Sequence, residues 1–146
     1  MAISEYLRTR VLDHVFGGPD YTRPASVYVA LCTSAPDAGD DGDTIVEPPA
    51  SDGYSRQEIV NSGASQEWKA ADLDGTGRGR KRNDELIEFG PASADWQQTT
   101  HYAILDGSGA GANMLDFGAL TQPRTVLNGF TARIPINELQ IFLSGS

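Results

Sequence analysis

The apolar residues at the start of the chain recur at three- and four-residue steps, which is the spacing of one helix face. Ser4 precedes this run and is predicted as its N-cap, and Glu5 suits the positive end of the helix dipole. The pair of glycines and the proline at 17–19 then stop the pattern. The spacing predicts an amphipathic helix over residues 3–16, within an N-terminal segment 1–18, whose apolar stripe is Ile3, Leu7, Val11, Leu12, Val15 and Phe16.

An apolar stripe of this kind needs to be covered. The short "GGP" return towards the next strand favours a helix that plugs an open end of its own sandwich and buries Leu12 in the core. The alternative is a helix that joins the subunits of an oligomer.

Beyond residue 24 the period changes from that of a helix to that of a strand. In "SVYVALCTS" the two alternating sets are both apolar, which predicts a central strand that is covered on both faces. One set is Val27, Val29 and Leu31, and the other is Tyr28, Ala30 and Cys32.

Further strands are predicted at 54–61, 65–72, 84–91 and 99–106, and within "MLDFGAL", "NGFTARIPI" and "ELQIFLSG". One helix followed by many short strands predicts an all-β single domain over 1–146, with a β-sandwich or jelly roll over 24–146 and long loops at 36–53 and 72–83. The residues expected to point inward are Trp96, Tyr102, Val29, Leu31, Ile104, Phe117, Ile134 and Ile141.

Composition narrows the class of protein. The 146 residues contain one cysteine, so a disulfide framework within one chain is excluded. The N-terminus is too charged for a signal peptide and no run of about 18 apolar residues occurs, so synthesis in a cytoplasm and no membrane span are expected. A net charge of −9 argues against general binding to nucleic acid or anionic membranes.

Two segments concentrate charge of opposite sign. The stretch "GTGRGRKRND" places four of the chain's 11 positive charges within five residues, and the loop 36–53 is acidic. The cluster is too dense to be neutralised within a mobile glycine-rich loop, so we expect it to contact acidic surface, either the 37–43 loop of a neighbouring subunit or an acidic patch on a partner protein. The predicted interaction residues are Arg78, Arg80, Lys81 and Arg82 on one side and Asp37, Asp40, Asp41 and Asp43 on the other.

No catalytic or cofactor-binding pattern is complete. The glycines at 75–79 match neither a dinucleotide fingerprint nor a P-loop, and the calcium-like start "DLDGTG" has Asn83 where the loop needs a glutamate. His14 and His101 lack the ligands of a zinc site, and no G-x-S-x-G occurs. The tryptophans are interpreted as core anchors and Cys32 as a buried small residue. These patterns favour a structural or interaction protein with no cofactor.

Four segments taken in order resemble the small tailed-phage virion proteins known as phage tail fiber proteins. They are "YLRTRVLDHVFGGPDYTRPASVYVALCTSAP", "GYSRQ", "FGPASADWQQTTHYAILD" and "LDFGALTQPRTVLNGFTARIPINELQIFL". The resemblance implies a β-sandwich after an N-terminal helix and a non-enzymatic part of the virion. The sequence departs from that pattern at 37–52 and 72–83, where its loops are longer and more charged.

Small β-sandwich proteins of tailed phages also serve as trimeric decoration proteins on the capsid. Tail fibres usually carry repetitive shafts or coiled coils, and neither pattern occurs here. The leading hypothesis is therefore a homotrimeric capsid decoration (cement) protein bound to the major capsid protein. The alternative is a tail fibre or tail-tip protein bound to tail proteins, and a carbohydrate-binding sandwich is third.

Overall fold

The computed structural model describes residues 2–144, in which antiparallel strands follow a helix. Ser4 caps that helix as predicted, because its hydroxyl accepts a hydrogen bond from the Leu7 amide at 3.1 Å. A 3₁₀ turn occurs at Ala50–Asp52. The elements are β1 (Ala2–Ile3), α1 (Glu5–Val15), β2 (Ser26–Cys32), β3 (Gln57–Val60), β4 (Asp72–Leu73), β5 (Gly79–Arg82), β6 (Ile87–Phe89), β7 (Thr99–Leu105), β8 (Met114–Arg124), β9 (Ala132–Ile134) and β10 (Gln140–Leu143).

The strands form three sheets. The largest has the order β1-β8-β7-β2-β3, and the other two are β10-β5-β4 and β6-β9. Every strand pairing is antiparallel, and the sheets do not close into a barrel. The prediction of an all-β fold preceded by one N-terminal helix is confirmed. That the whole chain forms a single domain stays a prediction.

Strand β2 lies between β7 and β3, and it is covered on both faces as its two apolar sets predicted. Val27, Val29 and Leu31 belong to the main hydrophobic cluster, whereas Ala30 and Cys32 belong to a second one on the other face. Of the predicted core residues, five are buried and the remaining three are partly buried against these clusters. The buried five are Val29, Leu31, Trp96, Tyr102 and Ile104, and the other three are Phe117, Ile134 and Ile141.

An irregularity between β7 and β8 changes which side chains face the main cluster. Ile104 pairs with Asp116 and Leu105 pairs with Met114, so Leu115 is an extra residue on β8. A bulge of this kind re-aims side chains. As a result both Leu115 and Asp116 are buried, and Asp116 meets Tyr102 of the main cluster.

The predicted helix burial is wrong within the subunit. No residue of α1 is fully buried, and every residue from Arg8 to Asp20 is exposed. Within α1, only Tyr6 and Leu7 pack against the core. The first turn of the helix makes this contact, and the neighbouring strand is β8. Leu12 is 57% exposed and is therefore not the core residue that the plugging arrangement required.

Two element predictions between residues 65 and 83 are also wrong. The predicted strand at 65–72 is reduced to an isolated bridge between Trp68 and Asn83, and the strand β4 begins only at its end. The predicted loop at 72–83 is a hairpin of β4 and β5, and β5 pairs on its other edge with β10. The partner β10 lies about 60 residues away in the chain, so local sequence patterns do not show this pairing.

Candidate functional site

Three of the four clustered cations pair within their own hairpin. Arg80 and Arg82 lie 2.8 and 3.1 Å from the Asp72 carboxylate, and Arg78 lies 2.7 Å from that of Asp74. The hydrogen bond from Arg80 lowers the pKa of Asp72. The expectation that this cluster could not be neutralised locally is therefore wrong, because antiparallel pairing brings Asp72 opposite Arg80.

The turn of the hairpin is organised by Asp74. Its Oδ1 accepts hydrogen bonds from the amides of Thr76 and Arg78, both at 2.9 Å. Although burial opposes the change, these bonds and those from the Thr76 hydroxyl and the Arg78 side chain lower the pKa of Asp74. The "DLDGTG" segment is thus an aspartate-capped turn, and the Arg78 guanidinium packs 3.9 Å from the centre of the Phe142 ring.

Lys81 differs from its three neighbours. Arg80 and Arg82 share one face of β5 with Asp72, and Lys81 alternates to the other face, where it lines a cleft beside Arg23 and Trp68. Among residues 2–144 no carboxylate forms an ion pair with it. The basic stretch therefore divides into three arginines that stabilise the hairpin and one lysine at a cleft.

The acidic loop is ordered by two of its own carboxylates. Asp40 accepts from the Asp37 amide at 2.7 Å and from the Thr44 hydroxyl at 2.9 Å. Asp41 accepts from the Asp43 amide at 2.9 Å. Asp37 and Asp43 are exposed. Within the described part of the chain, no ion pair joins this loop to the basic hairpin, and the predicted contact between subunits stays a prediction.

Sequence reasoning missed a buried ion pair that holds the acidic loop in place. The Arg56 guanidinium lies 2.7 Å from the Glu47 carboxylate, and the two side chains are only 10% and 14% exposed. Tyr54 donates to the same carboxylate, while its oxygen accepts from the Leu31 amide at 3.1 Å. Arg56 also joins this loop to the turn after β7 by donating to the carbonyls of Gly42, Ser108 and Gly109.

The signal for this ion pair was the short segment "GYSRQ". Gly53 has φ of 83°, and a Cβ there would come within 2.8 Å of the Pro91 carbonyl oxygen. Tyr54 packs against Trp96 with ring centres 5.5 Å apart. Each of the segment's distinctive residues therefore has a structural role, but the partner Glu47 lies in the long acidic loop, where nothing in the sequence marked it.

The second half of α1 and its C-cap residue Phe16 expose four large apolar side chains on one face. Val11, Leu12, Val15 and Phe16 are 36%, 57%, 61% and 79% exposed. The helix is held at its base, where the Ser4 amide donates to the Leu115 carbonyl at 2.9 Å and the Glu5 amide donates to the Ala38 carbonyl at 3.0 Å. Its apolar face is therefore presented to solvent by a fixed attachment.

The residues considered for chemistry lie apart. His14, on α1, accepts from the Tyr21 amide at 3.1 Å, and His101, on β7, contacts Thr100. Burial raises the pKa of the Cys32 thiol to about 12, which disfavours a nucleophilic thiolate. Within residues 2–144 no group of three metal-ligating side chains comes together. In the same range, no helix has the length and apolar character needed to cross a membrane.

Comparison with known proteins gives one family. A family model described as podophage GP4 fiber I protein gp80 matches residues 2–142, from β1 into β10. The match thus takes in the helix, all three sheets and both charged segments. A search of curated proteins finds no match.

Proposed function

The chain belongs to the family of the podophage GP4 fiber I protein gp80, and we propose that it is a non-enzymatic fibre subunit that assembles with copies of itself through α1. The observation that carries the proposal is the family match, which extends from residue 2 to residue 142. A virion structural protein associates with other virion proteins, so an exposed apolar surface has a use. The homotrimer expected from the sequence is part of this proposal.

The face of α1 supports self-association. Four large apolar side chains lie exposed within two turns, and apolar patches of a few hundred Å² are characteristic of interaction sites. An isolated helix of 11 residues is marginally stable in water, so a partner would stabilise its outer turns. A standard interface buries about 800 Å² per partner, and α1 would form the apolar centre of such a surface.

Charge supports a second copy as the occupant. The chain carries a net −9, so most pairs of surfaces on two copies repel each other. Along α1 the two arginines, Arg8 and Arg10, balance the two carboxylates, Glu5 and Asp13. The helix is therefore a surface through which copies can meet without net repulsion.

The assembly experiment replaces Leu12 and Phe16 by Ser and measures the molar mass by sedimentation equilibrium. The matched control is Leu73→Ser, because Leu73 is 70% exposed on the hairpin away from α1. We expect a monomer for the double variant and an unchanged oligomer for the control. Equal molar masses for the double variant and the unaltered protein would contradict assembly through α1.

Capsid decoration, with the major capsid protein as partner, is the second candidate. It is favoured by a strand-rich body in which residues 2–144 form no coiled-coil shaft. Immunogold labelling and the copy number per virion separate the two. A fibre subunit labels the tail in a few to tens of copies, whereas hundreds of copies over the head would replace the fibre proposal by decoration.

A further inference from the structure

A mostly apolar cavity of about 180 Å³ lies where α1 and the segment after it meet β2, β7, β8 and β10. Its floor is buried, and its rim is formed by partly exposed residues on α1, β5 and β10. The apolar lining consists of Leu7, Pro24, Val27, Ile104, Leu115 and Ile141. None of these residues belongs to the exposed face of α1, so the cavity is separate from the proposed assembly surface.

Three residues of this lining each carry one buried side-chain polar atom that has no hydrogen-bond partner among residues 2–144. The unpaired atoms are Tyr21 Oη, Trp68 Nε1 and Asp116 Oδ1, and the residues Trp68 and Asp116 are only 4% and 1% exposed. Buried polar groups in proteins are almost always paired, so each of these needs an explanation. Their convergence on one cavity indicates that a bound molecule completes them.

The second tryptophan shows the contrast. Trp96 is equally buried at 3% exposure, but its Nε1 donates to the Asp52 carbonyl oxygen at 2.8 Å. The fold therefore pairs an indole N–H where the site is purely structural. Trp68 also lines the cavity, but its Nε1 has no such partner in the described part of the chain.

Asp116 reaches this cavity because of the bulge at Leu115. Without the extra residue, strict alternation would place Asp116 on the same face as Met114, in the second cluster. With it, one carboxylate oxygen accepts from Tyr102 Oη at 3.0 Å, and the other has no partner within residues 2–144. Bulges of this kind are frequent next to functional sites.

Charges at the rim restrict what can enter. Arg23 and Lys81 line the cavity, and both also line an adjoining polar cavity of about 310 Å³ together with Asn61. Two cations at the entrance disfavour a cationic ligand, and the Asp116 carboxylate within disfavours an anion. A neutral hydroxyl suits the interior, because it can donate to Asp116 or Tyr21 and accept from Trp68.

We propose that this cavity binds a single-ring phenol, whose ring fills the apolar walls and whose hydroxyl pairs with the buried polar atoms of Trp68 and Asp116. The size agrees, because an apolar cavity of about 150 Å³ holds benzene. The same chemistry is supplied by a free phenolic molecule or by a tyrosine side chain of another protein. With a tyrosine, the cations at the rim would favour acidic neighbours in its sequence.

The direct test follows the two indole N–H signals by ¹H–¹⁵N NMR while p-cresol is added to the full chain. We expect the Trp68 signal to shift and saturate while that of Trp96 stays in place, because Trp96 already has its partner. Toluene has the same shape without the hydroxyl. It should bind about 3- to 10-fold more weakly than p-cresol, which corresponds to one buried hydrogen bond.

Two variants test the mode of binding. Trp68→Phe should narrow the difference in affinity between p-cresol and toluene, measured by calorimetry, because the hydroxyl then keeps only Asp116 as its partner. Ile141→Phe should fill the cavity and abolish binding of both, whereas Leu143→Phe on the same strand should not, because Leu143 is 60% exposed and outside the lining. Thermal unfolding of each variant establishes that it is folded.

Two results would overturn the proposal. If p-cresol leaves the Trp68 signal in place at millimolar concentration, the cavity holds water only. If p-cresol and toluene bind equally, the buried polar atoms do not select a hydroxyl.

A short peptide with tyrosine between aspartates distinguishes a free phenol from a tyrosine of another protein as the source of the ring. Binding tighter than that of p-cresol, lost at high salt, identifies a protein tyrosine, and binding of p-cresol alone identifies a free phenol.

Discussion

Glu47 and Asp116 are both carboxylates that are largely removed from solvent, and they are paired very differently. Glu47 accepts from Arg56 and Tyr54, so its charge is balanced and its oxygens are hydrogen-bonded. Asp116 accepts only from Tyr102, and its second oxygen has no partner among the described residues. A buried charge is tolerated where it is fully paired. The Glu47 site therefore has a structural role. The Asp116 site is incomplete, because one carboxylate oxygen lacks a hydrogen-bond donor among the described residues.

The pKa values reflect this difference. Burial raises the pKa of Asp116 to about 7, and the hydrogen bond from Tyr102 acts in the opposite, lowering direction. The hydrogen bond to Glu47 raises the pKa of Arg56, so Arg56 stays positively charged at any ordinary pH. Asp116 is therefore expected to change charge near neutrality.

The largest expected effect comes from breaking the complete pair. Arg56→Met retains much of the side-chain volume but leaves Glu47 buried and without its cation, which should lower the free energy of unfolding by about 3–5 kcal/mol. The measurement is urea denaturation at pH 7. Arg133→Met is the matched control, because Arg133 pairs with Glu88 at 2.7 Å while 62% exposed, and it should cost about 0.2–1 kcal/mol. Similar losses for both would show that burial does not distinguish these pairs.

Asp116, the carboxylate of the incomplete site, should make the free energy of unfolding depend on pH. The unfolded pKa of an aspartate is about 3.9 and the folded pKa of Asp116 is about 7, so between these values the folded state binds more protons. The free energy of unfolding therefore falls as pH rises from about 4 to 7. Asp116→Asn should remove this fall. Between pH 4 and pH 7 the free energy of unfolding of the unaltered protein should therefore drop by up to about 4 kcal/mol more than that of the variant. Parallel curves from pH 4 to 8 would contradict the raised pKa.

A smaller effect is expected from removing the donor that Asp116 has among the described residues, the Tyr102 hydroxyl. Tyr102→Phe should lower the free energy of unfolding by about 1–2 kcal/mol through the lost buried hydrogen bond. Because that bond lowers the pKa of Asp116, its removal should also move the midpoint of the pH dependence upward. Following the Asp116 carboxyl ¹³C signal against pH measures this shift. An unchanged midpoint would show that Tyr102 does not set the pKa.

The smallest effect is expected at the exposed pairs of the hairpin. Asp72→Asn removes a carboxylate whose pKa is lowered by Arg80, so its contribution is present above about pH 4 and is lost as pH falls through the folded pKa. The thermal midpoint should drop slightly at pH 6 in low salt and not at all in 1 M salt, where screening acts within about 3 Å. A drop that persists in high salt would indicate a packing role for Asp72.

Much of the fold could be predicted because period and burial agree along single strands. The two apolar sets of β2 predicted its central position, and Ser4 was correctly identified as the helix cap. The interaction residues were predicted from charge density alone, and that signal could not show that Asp72 and Asp74 lie opposite the arginines. The ion pair of Glu47 and Arg56 was missed because the two residues are nine positions apart in an irregular segment.

The sequence by itself determined the class of fold, the helix with its cap, the two-sided burial of β2 and the family resemblance. These depend on local spacing, which each segment carries alone. Only the tertiary structure decided that the apolar side chains of α1 stay exposed and that the arginines of the basic stretch form ion pairs within a hairpin. It also decided that the Asp116 side chain lines a cavity. Each of these depends on a register or a packing angle between distant segments. A one-residue bulge reverses the face of a side chain without leaving any mark in the alternation from which sequence predictions are made.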